Sequence, residues 1–115
     1  FGIVYQGPSN GDRGGEHDGG TVPETGTPYA TPQFWNVTSL GATDNKALSF
    51  RDNAGGEYHN SIFMSYGEGV DIEDLIGDEQ DAYAQFEAGR LQLRNNVFYN
   101  IGTSTTGSEI FTTNN

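Results

Sequence analysis

Arg51-Asp52-Asn53-Ala54-Gly55-Gly56-Glu57 sets a cation and two carboxylates around a Gly-Gly turn. Groups of this kind in so short a run can move a proton and hold the charge that results, which makes Arg51, Asp52 and Glu57 the candidate catalytic residues. An Arg-Asp pair that supports the turn accounts for the same residues, and both readings stand. A second cluster, Asp71, Glu73, Asp74, Asp78, Glu79 and Asp81, offers hard oxygen ligands and no soft ones, which is the chemistry of calcium. Alternation along a strand puts Asp71 and Glu73 on one outward face, and the tight link from Leu75 to Gly77 brings Asp74 toward a following helical turn. Asp71, Glu73, Asp74 and Asp78 are therefore the candidate calcium ligands. Asp12, Glu16 and Asp18 form a looser acidic set. Neither set has the spacing of an EF-hand or of a glycine-rich nonapeptide repeat, and solubility with helix-dipole complementation explains the same acids.

The two imidazoles are His17 and His59. His17 lies in Glu16-His17-Asp18, where three adjacent ligand types lack the helical or hairpin spacing that converges on one metal, so a solvated loop is expected. His59 precedes Asn60 at the place that Trp35 and Arg94 occupy before Asn36 and Asn95, and an outward position is expected. Neither imidazole has Ser and Asp partners at a recognisable triad spacing. The absence of cysteine excludes disulfides, thiolate zinc sites and a cysteine nucleophile. Tyr29, Trp35, Tyr58, Tyr66 and Tyr99 can stack on sugars or meet another subunit where they face outward, and fill a core where they face inward.

The elements that must position these groups come from a small, acidic chain. It has 115 residues, of which 33% are hydrophobic, and a net charge of −11. One small domain with a limited core is implied, and nucleic acid or an anionic membrane surface would be repelled. No run approaches the roughly 18 apolar residues of a membrane-spanning helix. Phe1-Gly2-Ile3-Val4-Tyr5 reads as the end of a strand begun upstream, which makes the chain the ordered C-terminal part of a longer protein. Residues 6–32 hold all four prolines and much of the glycine, and are expected to be one long loop.

From residue 33 onward short β-type runs recur. Phe34 to Gly41, Tyr58 to Gly67 and Leu93 to Gly102 share a large residue, Asn, an apolar pair and a closing apolar-Gly. Leu48-Ser49-Phe50-Arg51-Asp52 and Val70-Asp71-Ile72-Glu73-Asp74 share a second pattern, with Ser108-Glu109-Ile110-Phe111 as a third copy. The stretch 78–88 is the one helical pattern: Asp78 suits the cap, Glu79 and Asp81 the first turn, and Gly89 the C′ position, with Tyr83 and Phe86 on one face toward the sheets. Without that insert the period is about 22 to 24 residues, which points to an all-β, right-handed parallel β-helix of two to three coils. Leu48, Phe50, Val70, Ile72, Leu91, Leu93, Val97 and Ile101 would point inward, and Asn36, Asn60 and Asn95 would stack at a corner in the left-handed conformation. An antiparallel sandwich is the competing architecture.

Gly14-Gly15-Glu16-His17-Asp18-Gly19, Pro28-Tyr29-Ala30-Thr31-Pro32, residues 51–63 and the Leu-x-Leu-Arg-Asn-Asn-x-Phe strand from Leu91 together resemble bacterial secreted or surface-anchored β-helix proteins of the pectin-lyase-like group. The resemblance covers most of the chain from Asp12 onward. It implies export to the medium or outer cell surface and a multi-coil solenoid, and it names no reaction. In β-helix polysaccharide lyases an arginine acts as base beside carboxylate-bound calcium, a role that the resemblance would carry to Arg51. The Asn-Thr-Asp and Gly-His-Gly signatures of polygalacturonases are missing. A structural or adhesive surface protein whose loops make the contacts is the expected function, with a carbohydrate-binding or polysaccharide-degrading domain as the alternative. Further coils of the same chain, neighbouring subunits and carbohydrate are the expected partners, without nucleic acid and without membrane insertion.

Overall fold

The computed structural model describes all residues except Phe1, Thr21, Asp78, Glu79 and Asn115, and gives the backbone alone for Asn114. Eleven strands and two short helices follow in the order β1 (Gly2–Tyr5), β2 (Arg13–Asp18), β3 (Gln33–Trp35), β4 (Val37–Leu40), β5 (Lys46–Arg51), β6 (Gly56–His59), β7 (Ile62–Met64), β8 (Glu68–Glu73), α1 (Ala82–Glu87), β9 (Leu91–Arg94), β10 (Val97–Tyr99), α2 (Gly107–Ile110) and β11 (Phe111–Asn114). Three open sheets result: sheet I is β1-β4-β7-β10, sheet II is β2-β5-β8-β11 and sheet III is β3-β6-β9. Every pairing is parallel. The chain visits the sheets in strict rotation, so the antiparallel sandwich is excluded and the fold is all-β with parallel sheets.

Register reproduces the sequence repeats. Leu48 faces Val70 and Phe50 faces Ile72, while Trp35 faces His59 and His59 faces Arg94. Residues of one type in successive passes therefore sit one inter-strand step apart, about 4.8 Å, which is ring-stacking distance. Phe34 stacks on Tyr58 at 4.6 Å, Phe63 on Phe98 at 5.2 Å and His17 on Phe50 at 4.6 Å, each pair being register partners. The corner before sheet I is Asn36, Asn60 and Asn95, with φ of 58°, 52° and 56°. Asn36 N–H donates to the carbonyl of His59 and Asn60 N–H to that of Arg94, both at 3.1 Å. Asn tolerates this left-handed conformation because its short polar side chain can hydrogen-bond locally, so the residue type and the corner go together.

Four expectations are corrected. Residues 6–32 are not one loop, since β2 lies within them. Its glycines are demanded by space: a Cβ at Gly14 would lie 2.3 Å from the Tyr66 hydroxyl, and one at Gly15 2.9 Å from Leu48 Cδ2. Val97 points outward and is 53% exposed, because Phe98 pairs with buried Phe63 and fixes the alternation of β10. The third copy of the Leu48 pattern is Phe111–Asn114, whose Phe111 pairs with Val70, while residues 107–110 form the helical turn α2. Finally, α1 starts later than the pattern suggests. Asp81 is its cap, and Asp78 and Glu79 lie outside the described residues.

Gly89 takes the expected C′ place with φ 73°, but Ala82 and Gln85 form the buried face of α1 and Phe86 is 46% exposed. Gln85 hydrogen-bonds Asn53 at the corner after β5, so the helix is anchored by an amide pair as well as by Tyr83. Asp81 is itself buried and accepts from Ala84 N at 2.8 Å and from Leu75 N at 2.7 Å. Asp81→Ala strands both donors and should lower stability by about 1–2 kcal/mol. Faster amide exchange confined to residues 82–87 in the variant, with a lowered Tm, would verify the cap, and unchanged exchange would refute it.

Candidate functional site

The three outer faces differ in chemistry. Sheet I presents Ile3, Thr38, Ile62 and Val97 in one row and Tyr5, Leu40, Met64 and Tyr99 in the next, with no charged residue in any of its strands. On sheet II the charges are consumed by cross-strand pairs. Arg51 Nε meets Asp18 Oδ1 at 2.7 Å and its Nη2 meets Glu16 Oε1 at 3.0 Å, which raises the already high guanidinium pKa. Lys46 Nζ meets Asp71 Oδ2 at 2.8 Å and Glu68 Oε2 at 3.1 Å. The hydrogen bond to Asp71 raises the pKa of Lys46 most, against the opposing effect of burial.

Sheet III carries the most varied face. Gln33, Glu57 and Gln92 form one row, and Trp35, His59 and Arg94 the other. Inward Phe34 and Tyr58 sit between these positions, so alternation turns both rows outward. Trp35 stacks on His59 at 4.2 Å and 16°, and His59 Nε2 pairs with Glu57 Oε2 at 2.7 Å. His59 therefore occupies the expected outward row, yet it is only 7% exposed because Trp35 covers one face of the ring, while Trp35 is 51% exposed. Trp35 lies on β3, so among the described residues no strand lies beyond the ring face turned away from His59.

The sequence-predicted catalytic residues do not converge. Arg51 ends β5 on sheet II and is paired with β2, Glu57 belongs to sheet III and is paired with His59, and the Asp52 amide donates to Glu73 Oε2 at 2.8 Å. Of the calcium candidates, Asp71 is buried beneath Lys46, Glu73 accepts from Asp52, and Asp74 lines a depression of about 550 Å³ with Asp81 and Glu87. Asp78 lies outside the described residues. Among the described residues no group of three or more His, Asp or Glu is arranged to hold a metal ion.

His17 is corrected from a solvated loop to a strand residue in an aromatic nest. It stacks on Phe50, meets Tyr58 edge-on at 5.6 Å, and its Nε2 lies 3.0 Å from the Tyr58 hydroxyl. Burial lowers its pKa against the opposing charge of Asp18. Of the aromatic platform, Tyr58 and Tyr66 are core residues, Tyr29 receives a hydrogen bond from Asn53 Nδ2 at 3.2 Å, and Trp35 and Tyr99 face outward on different sheets. The alignment of Trp35, His59 and Arg94 was visible in sequence; the companion row of Gln33, Glu57 and Gln92, two residues earlier in each strand, was missed, although alternation from the aligned row would have found it.

No protein-family model matches this chain, and no match was found among curated proteins or among solved structures.

Proposed function

We propose that the chain is a right-handed parallel β-helix module of an exported or cell-surface protein, adhesive and structural rather than catalytic, that holds carbohydrate on the outer face of sheet III. Strict rotation among three parallel sheets, with ladder-stacked rings and repeated left-handed corners, supports the solenoid. The strong bias of parallel crossovers toward one hand supports the right-handed sense. The observation that carries the binding role is Trp35: a half-exposed indole backed by His59 and flanked by Gln33 and Glu57. A sugar needs an apolar ring face to stack on and amide or carboxylate groups for its hydroxyls, and this edge supplies both. His59 favours binding over catalysis, since its ring is buried under Trp35.

Affinity electrophoresis through gels containing neutral plant or bacterial polysaccharides tests this reading. The wild-type chain is expected to be retarded, and Trp35→Ala to weaken retention about tenfold with an unchanged Tm. Equal retention of both, or release of reducing ends by the wild type, would count against the proposal.

A further inference from the structure

Sheet I carries an outer face without charge. Residues 2–11, 36–43, 60–67 and 95–108, which hold its four strands and the turns beside them, contain no Asp, Glu, Lys or Arg, in a chain whose net charge is −11. Its outward rows are apolar and open. Tyr5, Val97 and Tyr99 are each more than half exposed, and Ile62 is 39% exposed although its strand β7 is paired on both sides. A missing neighbour does not account for that exposure, because a further pass of the chain adds at the edge of a sheet and leaves the outer face uncovered. The two helices lie elsewhere, α1 against β8 and β9 and α2 against β8 and β11. The outward side chains of sheet I together present on the order of 700 Å², close to the roughly 800 Å² that each partner brings to a standard interface. A contiguous apolar patch of this size marks an interaction surface.

We propose that this face is the interface of a homodimer, in which sheet I of one copy packs on sheet I of a second about a two-fold axis that lies in the interface and runs across the strands. Charge selects the partner. Sheets II and III carry acids on their outer faces, so two chains of net charge −11 repel each other there and meet at least cost through the uncharged face. That face has no charge with which to hold a charged partner; it needs one equally flat and apolar, which is what sheet I of a second copy offers. Size selects the axis. A two-fold across the strands lays the Tyr5 row of one copy over the Ile3 row of the other, so that Tyr5 meets Ile3, Met64 meets Ile62 and Tyr99 meets Val97. A larger side chain then faces a smaller one along the seam, which lets the two layers interdigitate. The two sheets stack about 10 Å apart, as in other face-to-face sheet packings. The inference is independent of the carbohydrate reading, which rests on sheet III.

Sedimentation equilibrium on the intact chain should show a reversible dimer with a Kd in the micromolar range. Because the copies repel one another, raising NaCl from about 0.05 M to about 0.5 M should tighten the dimer several-fold, whereas an interface held by ion pairs would loosen. Ile62→Lys and, separately, Tyr99→Ser should each weaken association at least about tenfold, with the Tm of the dilute monomer unchanged. Phe86→Lys, which removes an exposed ring from α1, should leave the dimer intact. The chain has no cysteine, so introduced thiols report the register: a mixture of Val97→Cys and Tyr99→Cys chains should form the mixed disulfide in preference to either symmetric one. The proposal fails if the chain stays monomeric up to about 0.1 mM, if salt loosens the dimer, or if symmetric disulfides predominate. It also fails if Phe86→Lys dissociates the dimer and Ile62→Lys does not. Adsorption of a monomeric wild type to phosphatidylcholine vesicles, released by Ile62→Lys, would assign the face to lipid and overturn it as well.

Discussion

Gly41→Ala is expected to destabilise the protein by about 1–3 kcal/mol, although it adds a single methyl group to a half-buried corner. A Cβ at Gly41 would lie 2.2 Å from Tyr66 Cδ1 and 2.5 Å from its Cγ. Tyr66 cannot yield, because its ring is fully buried and its hydroxyl is held by Ser39 at 2.6 Å and lies against Gly14. The reason is space and not backbone freedom, since Gly41 is not among the residues with positive φ. Tyr66→Ala should cost more, about 3–5 kcal/mol, through the cavity left behind. The decisive measurement is the double variant. With the ring gone the new methyl group has room, so Gly41→Ala should be close to neutral in the Tyr66→Ala background, a coupling of about 1–3 kcal/mol in urea melts. Additive losses would mean that the two residues do not meet.

That contact also explains which parts of the fold could be read from sequence. In parallel sheets a repeat in sequence becomes a register in space, so the 22-residue offset between Phe50 and Ile72 and the Asn36, Asn60 and Asn95 series were legible as strands and corners. Strand β2 was not, because its Gly14 and Gly15 are poor strand formers chosen for Tyr66 and Tyr58, which arrive from distant passes. Val97 misled for a different reason: the outer face of sheet I is apolar too, so hydrophobicity does not separate its two sides. Asp78 and Asp81 are both competent caps by type, and the choice depends on where Leu75 N–H ends up. Arg51 found its partners on β2, a strand that had not been expected, so the catalytic trio around the Gly-Gly turn could not be judged without it.

Stability should be confined between an acid and an alkaline limit that meet at one contact, His17 with Tyr58. Burial lowers the His17 pKa below its ordinary 6.5, with Asp18 opposing. The unfolded chain therefore takes up a proton as the pH falls past about 6.5, while the folded chain resists it. Stability from this group is complete above that value and is lost as the pH drops through the lowered folded value, with a slope of at most about 1.4 kcal/mol per pH unit. Burial pushes Tyr58 up to about 12 and raises Tyr66 as well. Here the sign reverses: the unfolded phenol loses its proton near pH 10, so stability is complete below that and falls as the pH rises toward the folded values. Urea midpoints across about pH 5 to pH 11 should thus form a plateau with two shoulders. His17→Gln, which retains a hydrogen-bonding group for the Tyr58 hydroxyl, should flatten the acid shoulder below about pH 6.5 and leave the alkaline one in place. Equal acid slopes in the variant and the wild type would show that His17 is not held neutral by its aromatic nest, and the nest itself would then need a different description.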